Sequence, residues 1–365
     1  MKILMICNSD AALYRFRRPI IDLLKAKDAD IITVSSDTGY RKKLSELVTT
    51  NYDVSMYGNE YFINILRAII KVFKISRVER PSAIHGFTHF GNLVALFAKI
   101  ANFNSNLVLT ITGMGRAFDD SDSSLKRRFA SKLVLYFYRF ASIFSKSIIV
   151  QNSDDYKILT SYVNNEKLCI QGGSGITIDK NIKRSKSNSK IKVFMASRTE
   201  EAKGYLEFFN AAKFINSTTR ADDFEFFFAG GKSLSEPIDS NISDLAKISG
   251  VDYLGYILNV EDIMSACDVV VLPSAYREGV PRSLIEALYF DKFIITTNNP
   301  GCKETVIDGW NGYLVEPRNE SSLISALLKL DNEVLNSSIG RSSTYCAYKF
   351  DGKLLAEDTY KMYTQ

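Results

Sequence analysis

Short apolar segments alternate with amphipathic segments of helical length along this chain, and the alternation occurs in two series. The predicted strands of the first series are KILMIC, IITVSS, SAIHGF, LVLTIT and SIIVQN, and those of the second are IKVFMAS, FEFFFAG, VDYLGY, DVVVLPS and KFIITTN. Such an alternation is typical of parallel sheets with helices on both faces. The sequence therefore predicts an α/β fold of two doubly wound Rossmann-like domains, with a ligand-binding interdomain cleft at the carboxyl ends of the strands.

A polar run with few apolar residues, DKNIKRSKSNSK, separates the two series. Its composition indicates a linker over residues 179–190. We expect an N-terminal domain over residues 1–178 and a C-terminal domain over residues 191–345. Residues 346–365 are then predicted to form a C-terminal helix, which is a candidate to cross back to the N-terminal domain.

The composition is that of a globular protein large enough for two domains. Of the 365 residues, 46% are hydrophobic and 24% are charged, which argues against a disordered chain. No apolar run reaches the roughly 18 residues that a spanning helix needs, and the first apolar run is too short for a signal peptide. The five cysteines are scattered and form no CxxC pair, so neither a disulfide framework nor a zinc site is predicted. These features together predict a cytoplasmic protein.

Positive charge is concentrated in the first part of the chain. Residues 1–150 carry 22 Lys and Arg against 12 Asp and Glu, whereas residues 151–365 carry 24 against 29. The basic part should face an anionic partner. The sequence has no zinc-finger spacing, no RNA-recognition strand signature and no basic arm, so we do not expect that partner to be nucleic acid. A diphosphate or a lipid surface fits better.

Common nucleotide and metal motifs are absent from the sequence. It contains neither the GxGxxG dinucleotide fingerprint nor a Walker loop, and FAGGKS at 228–233 lacks the upstream glycine of a Walker loop. His85 and His89 stand four residues apart where a strand is expected to give way to a loop. Without an intervening Glu on a helix they make a poor metal pair. No metal and no cofactor are therefore predicted.

The stretch SAYREGVPRSLIEAL combines a strand end, a loop and a helix start. Pro281 suits the first turn of the helix, and the loop before it would offer free backbone N–H groups to a phosphate or a polar sugar. Glu278 lies on this loop and Glu286 lies in the helix. Carboxylates at such a place suit sugar hydroxyls, which donate hydrogen bonds to charged acceptors. The same spacing is equally compatible with a helix that has an acidic face.

A second cluster, ASRTEEAKGY, follows the first strand of the second series. It places Arg198 at the strand end and Lys203 near the start of the next helix. Two cations beside two hydroxyl-binding acids predict a nucleotide-sugar site, in which the cations contact the diphosphate. The alternative is a solvated Arg and Lys at a strand–helix junction.

Several segments, in this order and spacing, carry a family resemblance over nearly the whole chain: TITGMGRAF, VQNSDD, GGSGI, ASRTEEAKG, VDYLGY, ACDVVVLPSAYREGVPRSLIEAL and CKETVIDGWNGYLVEP. With them the sequence resembles the retaining glycosyltransferases of family 4, which have the GT-B fold. The TGMG, QNSDD and GSGI segments are similar to the bacterial branch that builds O-antigen, capsule and other glycans on undecaprenyl diphosphate. The resemblance implies a UDP-sugar donor, with N-acetylgalactosamine or a related sugar as the group transferred.

The resemblance also assigns roles in the donor site. Arg198 and Lys203 match the basic pair that holds the donor diphosphate and stabilises its departure. Glu278 matches the acid that binds hydroxyls of the donor sugar, and Glu286 matches the acid that binds the ribose. The remaining donor-site positions implied by the resemblance are two backbone N–H groups near the phosphates and three residues beside the base: Gly279, Val280, Val251, Tyr253 and Leu254.

The resemblance assigns the acceptor, a lipid-diphosphate-linked saccharide, to the N-terminal domain. Residues from Asn8 to Arg18 are expected to form the loop after its first strand. The sequence departs from the family here, because NSDAAL replaces a Gly-rich loop and Thr112 with Gly113 replaces a strand-end histidine. An apolar residue beside His89 also replaces the lysine typical of the branch. A role for His89 in the acceptor site stays open, as does the ordinary role of a satisfied polar residue at a strand end.

The chemistry implied is transfer with retention at the anomeric carbon. Fixed cations and a helix N-terminus would stabilise the leaving diphosphate without a metal. Three alternatives stay open: a UDP-sugar epimerase of the same architecture, a phosphorylase, and a catalytically silent subunit of a polysaccharide complex. A phosphorylase would need a cofactor lysine, and an epimerase would act without any acceptor.

One segment predicts contact with a membrane. In EYFINILRAIIKVFKISRVER, the basic residues Arg67, Lys71 and Lys74 are expected on one side of a helix. The other side is expected to carry Phe62, Ile65, Leu66, Ile69 and Phe73. We predict that the basic stripe, together with KRRFASKLVLYFYRF, binds the anionic inner face of the cytoplasmic membrane. The alternative is a packed helix whose basic face is merely solvated.

Overall fold

The structure is a computed structural model, and it describes residues 1–56, 61–118, 124–178, 182, 184, 190–231 and 239–364. It divides into two compact units. The first unit is Met1–Thr177 with Asp351–Gln365, and the second is Ile178–Phe350. The predicted linker at 179–190 lies outside the described residues except for positions 182, 184 and 190, and the last two residues of FAGGKS also lie outside them.

The first unit is built on a parallel seven-stranded sheet. Its strands are β1 (Lys2–Ser9), β2 (Asp30–Ser36), β3 (Thr50–Asp53), β4 (Ala83–Phe87), β5 (Asn106–Ile111), β6 (Ser147–Val150) and β7 (Leu168–Ile170). They lie in the order β3-β2-β1-β4-β5-β6-β7. The central strands are nearly continuous apolar runs, as expected for strands buried on both faces.

Helices cover both faces of this sheet. They are α1 (Asp10–Phe16), α2 (Arg18–Ala26), α3 (Arg41–Ser45), α4 (Tyr61–Glu79), α5 (Thr88–Ala101), α6 (Leu125–Phe144), α7 (Ser153–Leu159) and, at the end of the chain, α15 (Gly352–Thr364). The buried side chains of α4, α5 and α6 share one apolar core, and those of α1, α2 and α15 share the other. The sheet is therefore doubly wound, and α15 completes the first unit.

The second unit repeats the plan with six parallel strands. They are β8 (Ile191–Ala196), β9 (Phe224–Ala229), β10 (Val251–Tyr253), β11 (Val269–Leu272), β12 (Phe293–Thr297) and β13 (Gly312–Val315), in the order β10-β9-β8-β11-β12-β13. Its helices are α8 (Tyr205–Asn216), α9 (Ser240–Ser249), α10 (Val260–Ala266), α11 (Arg282–Tyr289), α12 (Glu320–Leu328), α13 (Asn332–Ser337) and α14 (Arg341–Lys349).

Strand order places a topological switch point in each unit. Counted within its own unit, each sheet has the Rossmann order 3-2-1-4-5-6, and the first sheet adds a seventh strand. The order reverses between β1 and β4 in the first unit and between β8 and β11 in the second. In open α/β sheets the usual ligand site lies at such a switch point, outside the carboxyl ends of the strands. The predicted α/β fold of two Rossmann-like domains is confirmed.

Three local predictions about the first unit were wrong. The stretch from Asn8 to Arg18 is no loop, because β1 continues to Ser9, whose side chain accepts a hydrogen bond from the Ala12 N–H and starts α1. His85 and His89 are not joined by a loop, because α5 starts directly after β4. Leu66 is 61% exposed instead of packed, since it lies about 100° around α4 from the buried Ile65.

Two further observations concern α4 and the membrane. The side chain of Phe62 lies outside the described residues, whereas Arg67, Lys71 and Lys74 are exposed as predicted. Across the described ranges of the chain, no helix combines the length and the hydropathy that a bilayer-crossing segment requires.

Candidate active site

The candidate site of the second unit lies at the switch point between β8 and β11. These strands are parallel neighbours, with Val269 in register with Val193. The segment after β8 turns back at Gly204, whose φ of +81° suits glycine and whose Cα lies so close to the Pro273 carbonyl that a Cβ would overlap it. The Ala275 N–H also donates to the Ala202 carbonyl at 2.8 Å. The two loops are thereby fixed side by side.

Lys203 and Glu278 meet where these loops touch. The Lys203 ammonium donates to Glu278 Oε1, and each side chain is only 13% exposed. The hydroxyl of the buried Ser274 donates to the same Oε1 at 3.2 Å, and the Tyr276 ring centroid lies 5.5 Å from Lys203 Nζ, within range of a cation–π contact. Because little water surrounds this ion pair, the electrostatic interaction between the two charges is stronger than it would be in solvent.

Glu286 lies one helical turn into α11 and pairs with Arg282. Arg282 Nε donates to Glu286 Oε1 at 2.7 Å, and both side chains are mostly buried. Pro281 is the N-cap of α11 and so lies one residue before the helix instead of in its first turn. Arg282 and Ser274 were not predicted as site residues, although the i,i+4 spacing of Arg282 and Glu286 is visible in the sequence.

Backbone groups hold the loop that carries Glu278. Gly279 and Val280 are buried between this loop and the start of α11. The Glu278 N–H donates to the Pro300 carbonyl at 3.3 Å. Gly301, with φ +82°, lies so near the carbonyls of Glu278 and Gly279 that any side chain there would displace them. The loop is therefore held against the segment after β12.

Arg198 is placed differently from Lys203. Its side chain is 66% exposed, and its guanidinium pairs with Glu200 on the same loop at 2.7 Å. An exposed pair of this kind contributes little stability, and it exchanges partners easily. The structure thus brings Lys203 and Glu278 together and leaves Arg198 at the loop surface.

The residues predicted beside the base lie at the edge strand β10 and just after it. The Tyr253 hydroxyl donates to the Gly230 carbonyl at 2.9 Å, and its ring stacks on Phe228 with centroids 5.5 Å apart. Burial, with a smaller effect of the Asp239 charge, raises the pKa of Tyr253. Val251 is buried, and the half-buried Leu254 donates its N–H to the Phe228 carbonyl at 2.8 Å. These contacts fix the β9–β10 edge of the sheet.

In the first unit, His89 stands in the first turn of α5. Its Nδ1 lies 2.8 Å from the Tyr138 hydroxyl, and its Nε2 lies 3.4 Å from the Met114 carbonyl. Burial lowers the pKa of His89, so the ring is neutral at neutral pH. Thr112 and Gly113 leave β5 and lead directly to Met114. The structure therefore brings His89 and the end of β5 together.

The other two acceptor-side candidates, Asn8 and Arg18, differ in their contacts. Asn8 lies at the end of β1 and accepts a 3.4 Å contact from the Cys7 thiol. Arg18 instead points to Asp22 at 2.7 Å, and both side chains are half-exposed. It is the preceding Arg17 that lines a small cavity.

That cavity of the first unit was not predicted. Its volume is about 30 Å³, and Arg17, His85, Thr110, Gln171 and Ser174 are among its lining residues. The buried His85 contacts the Thr110 hydroxyl at 2.7 Å and the Tyr363 hydroxyl of α15 at 2.5 Å. No sequence pattern links residues 278 positions apart. The space suits ordered water rather than a sugar or a diphosphate.

The part of the chain that the structure describes contains no group of three or more His, Cys, Asp or Glu side chains arranged to hold a metal ion.

Comparison with known proteins gives the following matches. Residues 177–338 match the family model described as "Glycosyl transferases group 1". The N,N'-diacetylbacillosaminyl-diphospho-undecaprenol alpha-1,3-N-acetylgalactosaminyltransferase of Campylobacter jejuni is 25% identical over 385 aligned positions, which cover 100% of this chain and 98% of the relative.

Two of the solved structures that match are each 16% identical to this chain. Sucrose-phosphate synthase from Thermosynechococcus elongatus superposes with a TM-score of 0.80 over 100% of this chain and 98% of the other. HepE from Anabaena, in complex with UDP, superposes with a TM-score of 0.74 over 100% of both chains. These similarities identify the fold as GT-B.

Proposed function

We propose that this chain, a glycosyltransferase with a group 1 domain in its second unit, moves a sugar from a UDP-sugar to an undecaprenyl-diphosphate-linked saccharide. The best candidate for the sugar is N-acetylgalactosamine or a related hexosamine or hexose. The product would serve the assembly of O-antigen, capsule or another surface glycan. The observation that carries this proposal is the ion pair of Lys203 and Glu278 at the switch point of the second sheet.

Lys203 and Glu278 would both exchange partners when the donor binds. The diphosphate would take the Lys203 ammonium from Glu278, and the exposed Arg198 would turn from Glu200 to the same anion. Glu278 would then accept hydrogen bonds from hydroxyls of the transferred sugar. The backbone of Gly279 and Val280 lies just before α11, where N–H groups and the helix dipole favour negative charge.

The reaction breaks the bond between the anomeric carbon and the diphosphate oxygen. As positive charge grows on the sugar ring, the fixed cations stabilise the negative charge that grows on the departing UDP. The acceptor hydroxyl oxygen bonds to the anomeric carbon on the same face, and its proton passes to the leaving diphosphate. The outcome is retention, and cations of the chain carry the charge without a metal.

Glu286 would bind the ribose hydroxyls of UDP. Its carboxylate is mostly buried and is oriented by Arg282 at 2.7 Å. Carboxylate oxygens have several acceptor positions, so the pair with Arg282 leaves acceptor capacity for hydroxyl donors. The residues near β10, among them Tyr253 and Leu254, are the proposed neighbours of the base.

The first unit is the proposed acceptor side. Its candidates are Asn8, the segment Thr112–Gly113, and His89, which is oriented by Tyr138. The relative from Campylobacter jejuni is named for a diphospho-undecaprenol acceptor, which supports a lipid-linked acceptor for this chain. Such an acceptor has to be met at a membrane, and the exposed Arg67, Lys71 and Lys74 of α4 suit its anionic inner leaflet. We therefore place the protein at the cytoplasmic face of the membrane as a peripheral protein.

The test is incubation of the purified chain with a panel of UDP-sugars and undecaprenyl-diphosphate-linked saccharides, followed by mass spectrometry of the lipid products. The proposal predicts a lipid product heavier by one sugar residue, with release of UDP in equal amount. Conversion of the UDP-sugar without an acceptor would indicate an epimerase instead. Failure with every donor and acceptor would indicate a silent subunit.

A further inference from the structure

Helix α6 exposes a ridge of large apolar side chains. The ridge is Leu125, Phe129, Leu133, Tyr136, Phe140 and Ile143, and each of these residues is between 51% and 80% exposed. Their spacing of three or four residues places all six within an arc of about 80° on a helix of 3.6 residues per turn. The ridge thus runs the whole length of this 20-residue helix.

The opposite face of α6 already has its partners. Leu135, Tyr138 and Ala141 are buried in the core that α4 and α5 share. The ridge is therefore not needed to hold α6 on the sheet. With roughly 200 Å² for a large side chain, the exposed parts of the six residues amount to on the order of 800 Å². Most monomeric proteins have no apolar patch of that size unless it contacts something.

Charge indicates what covers the ridge. Helix α6 contains five Lys or Arg and no Asp or Glu. The exposed Arg128, Lys132 and Arg139 lie along one edge of the ridge, and the exposed Lys126 lies along the other. An apolar stripe bordered by cations suits a surface that is anionic outside and apolar inside, which is the description of a bilayer with acidic headgroups.

Neighbouring elements extend the same surface. Phe103, after α5, is 61% exposed, and its ring centroid lies 6.5 Å from that of Phe144 at the end of α6. The outer side of α4, with Arg67 and Lys71, belongs to the same layer of helices, because α4, α5 and α6 share one core. Apolar and basic residues therefore occupy one side of the first unit.

We infer that α6 is the element through which the protein inserts into the membrane, lying in the interface with its ridge among the acyl chains. The inference deepens the proposed function and rests on it for the choice of a bilayer as the partner. Helix α4 then supplies electrostatic attraction, whereas α6 supplies apolar burial. The occupant of the ridge is a lipid bilayer rather than a second copy of the chain.

The first measurement uses a tryptophan placed on the ridge. The chain has one tryptophan, Trp310, in the second unit, so wild-type protein gives the background signal. Phe129→Trp is mixed with vesicles of phosphatidylethanolamine and phosphatidylglycerol whose acyl chains are brominated. We expect the new fluorescence to shift to shorter wavelength and to be quenched, while the wild-type signal changes little. Vesicle binding without quenching at position 129 would overturn the inference.

The second measurement removes the ridge. Phe129→Ser combined with Phe140→Ser should weaken cosedimentation with the same vesicles by about tenfold or more, because burial of apolar surface is lost. Ile248→Ser on α9, where Ile248 is 65% exposed, is the matched control and should bind like wild type. Vesicle binding equal to that of wild type in the ridge variant would overturn the inference. So would the finding that wild type and the control are dimers and the ridge variant is a monomer.

Activity separates this inference from the proposed function. The ridge variant should lose turnover with lipid-linked acceptor in vesicles and keep it with a short-chain, water-soluble acceptor. If no acceptor is glycosylated by wild type, the proposed function fails, whereas the quenching result still decides insertion. Equal loss of turnover with both acceptors would show that α6 acts in some other way and would overturn the inference.

Discussion

The ammonium of Lys203 and the carboxylate of Glu278 form an ion pair although 75 positions separate them in the sequence. Their meeting follows from strand order, because β8 and β11 are neighbours and each residue lies on the loop after one of them. Without donor the two charges balance each other, and the diphosphate and the sugar of a donor would separate them.

Glu278→Gln is expected to lower kcat by about tenfold or more, since a carboxylate near the sugar stabilises the positive charge that grows on the ring. The affinity for free UDP should be kept or rise, because UDP has no transferred sugar and the variant leaves no carboxylate to compete for Lys203. Steady-state kinetics and calorimetric titration with UDP measure the two quantities. Near-wild-type turnover would remove the assignment of Glu278.

Glu304→Gln is the matched control for that variant. Glu304 belongs to another mostly buried pair of the second unit, in which Lys349 Nζ lies 2.6 Å from Glu304 Oε2. Loss of this pair should lower stability in a comparable way and leave kcat unchanged. Equal effects of the two variants on kcat would show that Glu278 acts only through stability.

Glu286→Gln is expected to weaken the binding of donor and of UDP alike by about 1.5–3 kcal/mol, the range for a hydrogen bond to a charged group. The ribose lies away from the bond that breaks, so kcat at saturating donor should change little. Arg282→Gln breaks the same pair but keeps the Glu286 carboxylate, so it should lower UDP affinity less than Glu286→Gln does. Unaltered UDP affinity in the Glu286 variant would mean that α11 merely has an acidic face.

Chelation is expected to leave turnover largely intact, because Lys203 and Arg198 carry the charge of the leaving diphosphate. Initial rates with and without EDTA measure this. Loss of activity that Mg²⁺ or Mn²⁺ restores would assign the leaving-group chemistry to a metal.

The stability of the first unit should fall as the solution is acidified below pH 6.5. Burial, with a smaller effect of Arg17, holds the pKa of His85 well below its ordinary value of 6.5, so the folded state keeps the ring neutral while the unfolded state binds a proton. Stability is therefore present above 6.5 and is lost as the pH falls toward the folded pKa. Urea unfolding across this range should show a smaller pH dependence in His85→Asn. An equal dependence in wild type and variant would contradict the role of His85.

Central strands were predictable, and most edge strands were not. The ten predicted strands all exist, and those in the interior of each sheet are compact apolar runs. The three missed strands, β3, β7 and β13, lie at sheet edges, have three or four residues and are half-exposed. Their hydrophobic signal is weak because only part of each strand is buried.

The meeting of two site residues was predictable where each of them directly follows a strand of the sheet. Lys203 and Glu278 each follow a buried strand, so topology brings them together. The contact of His85 with Tyr363 depends on the return of α15 to the first unit. A crossing C-terminal helix was predicted, but no local pattern specifies which residues it brings together. The contact of Arg18 with Asp22 follows from the start of α2 at Arg18, and the sequence did not predict that start.

Titration of UDP into wild type and Lys203→Met tests most directly whether this ion pair marks the donor-diphosphate site. The variant removes the ammonium and keeps most of the side-chain volume. A second variant, Lys203→Met with Glu278→Gln, removes the repulsion that an unpaired carboxylate would exert on the phosphates. The account predicts that UDP affinity falls by about tenfold or more in both variants, as expected for loss of a charge-assisted contact. Wild-type affinity in the double variant would contradict it.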